Sequence, residues 1–337
     1  MSLTRHLQRT ANAVRRFFND IIDDRAARRL VQQANDQAVQ AVRRQGGPIL
    51  VPDTIPTLAG AAFDFGFRAF IQPFTREAPP RVAIHGARNA LMVGWPTATK
   101  LLAATLHTLP AADPLGQARR FVALAVFERF YRDFGSILAG PAEGGHDLPA
   151  QLLADPPITL GELLARMPDA TVRDVAALLK AAQHRWAWMR DLPFVPNPNF
   201  PLSAEIGGAD ADWVSGNVLY ECKVSYQNRP VEGKHLRQLL GYLLLDTNDA
   251  LGLQGVALLL PRQREHIQWE VAAFLRQLGI AGELPDLRTR FAAVVAALPQ
   301  AARSVERLTI TDPATGQEHR VIRVRVTQRR PADINSI

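Results

Sequence analysis

The stretch GGADADWVSGNVLYECK, residues 207–223, decides how this chain is read. Two β-type runs, IGGADADWV and VLYECKVSY, are separated by Ser215, Gly216 and Asn217, and Gly-Asn between such runs is a hairpin signal. Placing the turn at Gly216 and Asn217 sets Ser215 against Val218, Asp212 opposite Glu221 and Asp210 opposite Lys223. Side chains alternate across a strand, so positions 210, 212, 221 and 223 are expected on one face, with Ala211, Trp213, Tyr220 and Cys222 on the other. Ionisable groups gathered on one face of an apolar hairpin are costly to bury without a task. Two or three carboxylates beside a lysine are what a hard divalent cation needs: one or two carboxylate ligands, several waters and a substrate phosphate. Such an ion activates water and neutralises charge developing on the phosphate. The competing reading is an ion-pair cluster of Asp212 with Lys223, worth under ~1 kcal/mol if exposed.

The elements that follow build on this hairpin. KHLRQLLGYLLLDTND reads as a helix with Leu236, Leu239, Leu240, Leu243 and Leu244 as its core stripe. Gln238 and Tyr242 lie four apart on another face, with His235 and Asp246 near the same side. GVALLLP then reads as a buried strand, HIQWEV as its pairing partner and AAFLRQL as a helix. Upstream, the spacing predicts helices in LAGAAFDFGFRAFIQPF (stopping before Pro73), RVAIHGARNALMV, GQARRFVALAVFERFYRDFGSIL, TLGELLARM and TVRDVAALLKAAQHRWAWM. The third of these should bury Phe121, Leu124, Phe127, Phe130 and Tyr131, and the last should be capped by Asp169 or Thr171. Pro193, Pro196, Pro198 and Pro201 force an extended connection into the hairpin.

At the start of the chain Leu7, Val14, Phe17, Phe18, Ile21 and Ile22 recur at helical spacing among Arg5, Arg9, Arg15, Arg16, Arg25, Arg28 and Arg29. This predicts an amphipathic helix or helix pair packed on the body of the protein, more than one laid along a phosphate backbone. The tail ERLTITDPATGQEHRVIRVRV is a second hairpin candidate that gathers Arg320, Arg323 and Arg325.

Composition bounds the function class. The 337 residues carry 39 Lys and Arg against 32 Asp and Glu, a formal charge of +7, which favours polyanionic partners. Cys222 is the only cysteine, so an internal disulfide and a multi-thiolate zinc or iron–sulfur site are ruled out, and a reducing, cytoplasmic setting is expected. No stretch is apolar for long enough to cross a bilayer, the N-terminus shows no signal core, and no Walker loop is present.

GGADADWVSGNVLYECK followed by QLLGY resembles the RecB-like branch of the PD-(D/E)xK nuclease superfamily, which has a Gly-x-x-Asp strand, an (Asp/Glu)-x-Lys strand and a Gln-x-x-x-Tyr helix. Gly207 with Asp210 matches the first element, as does Ala209 with Asp212; Glu221 and Lys223 match the second, and Gln238 and Tyr242 the third. The resemblance implies an α/β, restriction-endonuclease-like core, a central mixed sheet flanked by helices, preceded by a mainly helical N-terminal region. It implies hydrolysis of phosphodiesters, of DNA more often than RNA, with Mg²⁺ or Mn²⁺. Asp212 and Glu221 are then the preferred metal ligands, Asp210 the reserve, Lys223 the group assisting the water, and Gln238 and Tyr242 the residues positioning the strand. Asp64 and Arg68 resemble an N-terminal helix of some relatives, and Glu128 and His184 lie on helices able to face the site, though each fits a structural role better than a catalytic one.

The expected organisation is a 1–50 Arg-rich helical segment, a 51–170 helical region, a 171–303 nuclease core and a 304–337 basic hairpin and tail. The expected function is a Mg²⁺-dependent deoxyribonuclease, within a bacterial defence or repair system. The alternative is a catalytically silent nucleic-acid-binding or assembly subunit of the same fold. Nucleic acid is the expected partner, with a protein partner or second copy docking on the helical N-terminal region, and no membrane.

Overall fold

The computed structural model describes residues 3–8, 12–75, 78–134, 137, 148–209, 211–298, 302–311 and 318–327, of which 5, 302–311 and 318–327 are described by backbone alone. This part is α/β and mostly helical: thirteen α-helices, a five-stranded mixed sheet and a separate two-stranded one. No described helix is long and apolar enough to cross a membrane.

The five strands lie side by side in chain order: β1 (Phe194–Pro196), β2 (Trp213–Ser215), β3 (Val218–Cys222), β4 (Gly255–Leu260) and β5 (Glu265–Glu270). Neighbours are antiparallel except β3 and β4, which run parallel. A parallel pair needs a crossover, supplied here by the helix Gly233–Leu245. The expected hairpin register is met, with Ser215 opposite Val218 and Trp213 opposite Tyr220. Gly216 and Asn217 both have positive φ (55° and 65°), as a type I′ turn requires. β4 is buried at all six positions, so its continuous apolar run is that of a strand covered on both faces. β5, at the sheet edge, alternates instead.

Alternation sorts the strand residues between two cores. Trp213, Val218, Tyr220, Ala257 and Leu259 join helices α4 (Pro56–Ile71), α5 (Arg81–Met92), α6 (Ala98–Thr108), α7 (Pro114–Arg132) and α10 (Asp169–Arg185). Between α7 and α10 lie the short helices α8 (Leu148–Ala154) and α9 (Leu160–Ala165). On the other face Val214, Leu219, Val256, Leu258 and Leu260 join α1 (Leu3–Gln8), α2 (Ala13–Ile21), α3 (Asp24–Arg44), α11 (Gly233–Leu245) and α13 (Leu284–Ala296), while α12 (Val271–Gln277) follows β5. The N-terminal apolar stripe thus packs on the body: Phe17 and Phe18 meet Phe291 of α13 at ring distances of 5.4 and 5.7 Å. The helical body and the sheet are joined by a fully buried Arg262–Asp174 pair, bidentate at 2.8 and 2.5 Å, with the Tyr226 ring 3.5 Å from the guanidinium.

The structure departs from expectation at several places. Tyr131, expected on the apolar face of α7, is half exposed. Neither Asp169 nor Thr171 caps α10: Pro168 holds that position, and the Thr171 hydroxyl instead accepts from the Ile55 amide. β2 is shorter than the run IGGADADWV, because the chain turns through 201–207 and joins the sheet at Trp213. Alternation therefore stops there, and Ala211 packs in the core opposite to that of Trp213. Helices α6, α8 and α13 carry no helical expectation from the sequence. The buried stripe of α13 contains Arg288, bound to the Leu243 carbonyl, Asp246 and Asp249. The tail hairpin forms as expected, β6 (Ala302–Thr311) against β7 (Glu318–Thr327).

Gly86 brings α5 down onto α7 at the turn that carries Glu128; a Cβ there would overlap the Phe127 carbonyl, which is backbone and cannot yield. Gly86→Ala should cost about 3 kcal/mol or more, at the upper end of overpacking effects, measurable by denaturant unfolding.

Candidate active site

The site forms where β3 leaves the sheet. Lys223 continues the ladder one residue beyond β3, its amide donating to the Leu259 carbonyl (2.8 Å), which fixes the direction of its side chain. Lys223 Nζ lies 2.6 Å from Glu221 Oε1 and donates to Gln238 Oε1 at 3.2 Å. Gln238 Nε2 donates to the Tyr242 hydroxyl at 2.7 Å, and the Tyr242 ring stacks on Phe200 at 5.4 Å. Tyr242 also lies close enough to the Glu221 carboxyl to favour its charged form. Glu221, Lys223, Gln238 and Tyr242, drawn from a strand and the crossover helix that follows it, thus form one connected set.

Asp212 precedes β2, one position beyond the Trp213–Tyr220 pair. Its Oδ2 accepts from the Cys222 amide at 2.6 Å, and its own carbonyl accepts from the Asn197 amide at 3.0 Å. The carboxylate is thereby tied to the end of β3 and close enough to Glu221 for their charges to act on one another. Asp210, the reserve metal ligand, lies outside the described residues.

Two helices of the other core extend the acidic row. Asp64 of α4 pairs with Arg68, and Glu128 of α7 pairs with Arg132. Arg68 also donates to the Asn197 side chain. Asp64 feels both Asp212 and Glu128, so the row runs from Glu221 through Asp212 to Asp64 and Glu128. Asp64 and Glu128, expected to be structural more than catalytic, thus lie beside the site while each is held by its own arginine. Spacing within their helices gives no sign of it, because what gathers them is the packing of α4 and α7 against the sheet. His184 is not among the groups tied to this row, and Asp246 is taken up by Arg288 and the turn at Ala250 and Leu251.

Burial governs the electrostatics. Glu221 is 5% exposed. Desolvation raises its pKa to about 7, Asp212 adds to the rise, and Lys223 and Tyr242 oppose it. Asp64 is pushed up to about 8, first by burial, against the pull of Arg68 and with the push of Asp212 and Glu128. Burial would lower Lys223, but Glu221 and Asp212 outweigh it and hold the ammonium above its usual range. Cys222 is raised well above the thiol range, chiefly by burial and then by Asp212, so it is a poor nucleophile.

Two oxygens decide whether the residues fit a cation. Glu221 Oε2 and Asp64 Oδ1 are buried and find no hydrogen-bond partner among the described residues. A buried carboxylate oxygen left unpaired costs about 1–3 kcal/mol or more. A divalent ion would satisfy such oxygens and reverse the upward pKa shifts. No group of three or more described His, Cys, Asp or Glu side chains is arranged to hold a metal ion. Mg²⁺ needs only one or two protein carboxylates, and Glu221 with Asp212 supplies two of the right chemistry.

The raised pKa values set a stability profile. Glu221 and Asp64 hold protons more tightly folded than unfolded, so the stability they contribute is fully present below about pH 4. It is lost as pH rises through about 7 and about 8 respectively. Metal-free protein should lose stability from pH 5 to 8.5, and Glu221→Gln should flatten the fall, read as Tm against pH.

Comparison with protein-family models, curated proteins and solved structures finds no match, so the chemistry of this site rests on its own geometry.

Proposed function

We propose that this chain is a metal-dependent nuclease with a restriction-endonuclease-like core, hydrolysing phosphodiester bonds, with DNA the favoured substrate. The observation that carries the reading is the buried, half-satisfied Glu221 carboxylate, held by Lys223 and Tyr242 beside Asp212. An ion-pair cluster on a strand surface, the competing reading, would be exposed and mutually neutralised. This one is buried, with an oxygen left over.

Glu221 and Asp212 would hold Mg²⁺ or Mn²⁺. The bound ion would supply positive charge against the phosphate and lower the pKa of water. Glu221 keeps one oxygen on Lys223 and leaves the other open. Lys223, kept charged by its two acidic neighbours, places an ammonium where negative charge builds on a phosphoryl group. Gln238 fixes Lys223 on one side and Tyr242 on the other, so its work is to hold both in register. Tyr242, braced on Phe200, keeps the Glu221 carboxyl from turning. The order of the motif along the chain supports the same reading: strand, strand and helix follow each other as the resemblance implies, and the helix crosses over to a parallel strand.

Cleavage of a labelled panel of DNA and RNA, with Mg²⁺ or Mn²⁺, tests this. Wild type should cleave; Glu221→Ala and Lys223→Ala should lose at least about a hundredfold, the scale of one transition-state contact. Cleavage by both variants at the wild-type rate would contradict the reading. A second readout is independent of turnover. At pH 8, Mg²⁺ or Mn²⁺ should raise the Tm of wild type, and chelator should reverse it, while Glu221→Gln should show little response.

A further inference from the structure

The acidic row is bordered by two separate cavities, and both are basic. One, of about 430 Å³, is walled by Thr4, Gln8 and Arg15 of the N-terminal helices and by Lys223, Lys234 and Arg237 on the other side. It opens directly on the site, since Lys223 and Gln238 line it. The other, of about 540 Å³, is lined by Arg68, Arg81, His85, Arg132, Asn197 and Asn199 among others. Arg68 and Arg132 are the partners of Asp64 and Glu128, so this cavity meets the opposite end of the same row. Both volumes suit a substrate segment of nucleotide size.

Part of the charge in each cavity is used up internally, Lys223 pairing with Glu221, Lys234 with Glu232 at 2.7 Å, Arg68 with Asp64 and Arg132 with Glu128, while Arg15 and Arg81 pair with no acid among the described residues. In the first, His235 is driven down to about 3 by burial and then by Lys223 and Lys234, with Glu232 pulling the other way. Among the described residues Arg15 donates only to the Gln8 carbonyl. Arg237 reaches Asp24 at 3.4 Å, and its Nε is buried with no partner among the described residues. In the second, Arg81 is exposed and pairs with no acid among the described residues. The first wall is also fixed in place: Leu3 is buried against Gly241 of α11, where a Cβ would come within 2.8 Å of it, and its amide donates to the Gly208 carbonyl.

We infer that the two cavities seat the phosphodiester backbone on either side of the bond to be cut, so that the site takes an internal stretch of a strand and cuts within it. This rests on the nuclease reading. A site that trims from an end needs a basic seat on one side only; here cations lie at both ends of the carboxylate row.

The test has two arms. In chelator, binding of a labelled oligonucleotide is titrated against salt for wild type, Arg81→Glu, Arg15→Glu and the double variant, with Arg276→Glu, on α12 outside both cavities, as a charge-matched control. Each single cavity variant should weaken binding about fivefold and lower the salt slope by about one, the double variant by both amounts, and the control by neither. Loss in only one cavity, in neither, or equally in the control would overturn the two-sided seat. With Mg²⁺ or Mn²⁺, closed circular DNA should be cut alongside linear DNA of the same sequence. Cutting of the linear form alone would overturn the internal-cut proposal. If neither form is cut with any metal, the nuclease reading and the internal cut fail together, while the binding arm still decides the seat.

Discussion

The structure around the site depends on burying one carboxyl group. Glu221 sits at the end of a short strand between two apolar cores, nearly out of water, where an isolated carboxylate would be several kilocalories unfavourable. Three side chains lower that cost without removing it: Lys223 from the same strand, Tyr242 from the crossover helix, and through Gln238 the link between them. The geometry of each follows from the sheet. Parallel pairing of β3 with β4 obliges the chain to cross over, the crossover is α11, and α11 lies beside the strand end carrying Glu221 and Lys223. A divalent ion would supply what these three leave out, positive charge at the open oxygen. On the proposed function, burial of Glu221 and hydrolysis of a phosphodiester are therefore one design.

The second constraint is that the sheet is covered on both faces. The acidic row can be assembled only because helices from one core, α4 and α7, bring Asp64 and Glu128 to the strand ends, while α11 from the other brings Gln238 and Tyr242. The long helical region before the hairpin is thus part of the site. It carries two carboxyl groups of the row together with their arginine partners, and α1 and α2 wall one of its basic cavities. The buried Arg262–Asp174 pair, stacked by Tyr226, locks that region to the loop just beyond Lys223.

The sequence was most legible where local chemistry dictates structure. Gly216-Asn217 sets a turn that only positive φ satisfies, and from that turn the Ser215–Val218 register follows by counting. The leucine stripe of α11 and the wholly apolar β4 were equally plain. Counting failed at Ala211 because it assumed a strand through 206–212, whereas the ladder ends at Trp213 and Ala211 turns to the other core. Tyr131 misled because its spacing matches the apolar face of α7 while its ring stands in solvent beside His85. Asp64 and Glu128 were read mainly as structural because a helix pattern does not tell which neighbour a polar position meets. Helix α13 was hidden by Arg288, a charged residue in an apolar stripe whose partners come from the end of α11 and the turn after it.

The most direct measurement is the anomalous scattering of Mn²⁺ in crystals of the wild-type protein soaked near pH 8. Metal binding by the buried pair predicts a peak at coordination distance from Glu221 Oε2 and the Asp212 carboxylate, absent in Glu221→Gln crystals treated alike. A wild-type crystal with no peak there, or a peak that persists unchanged in Glu221→Gln, would contradict it.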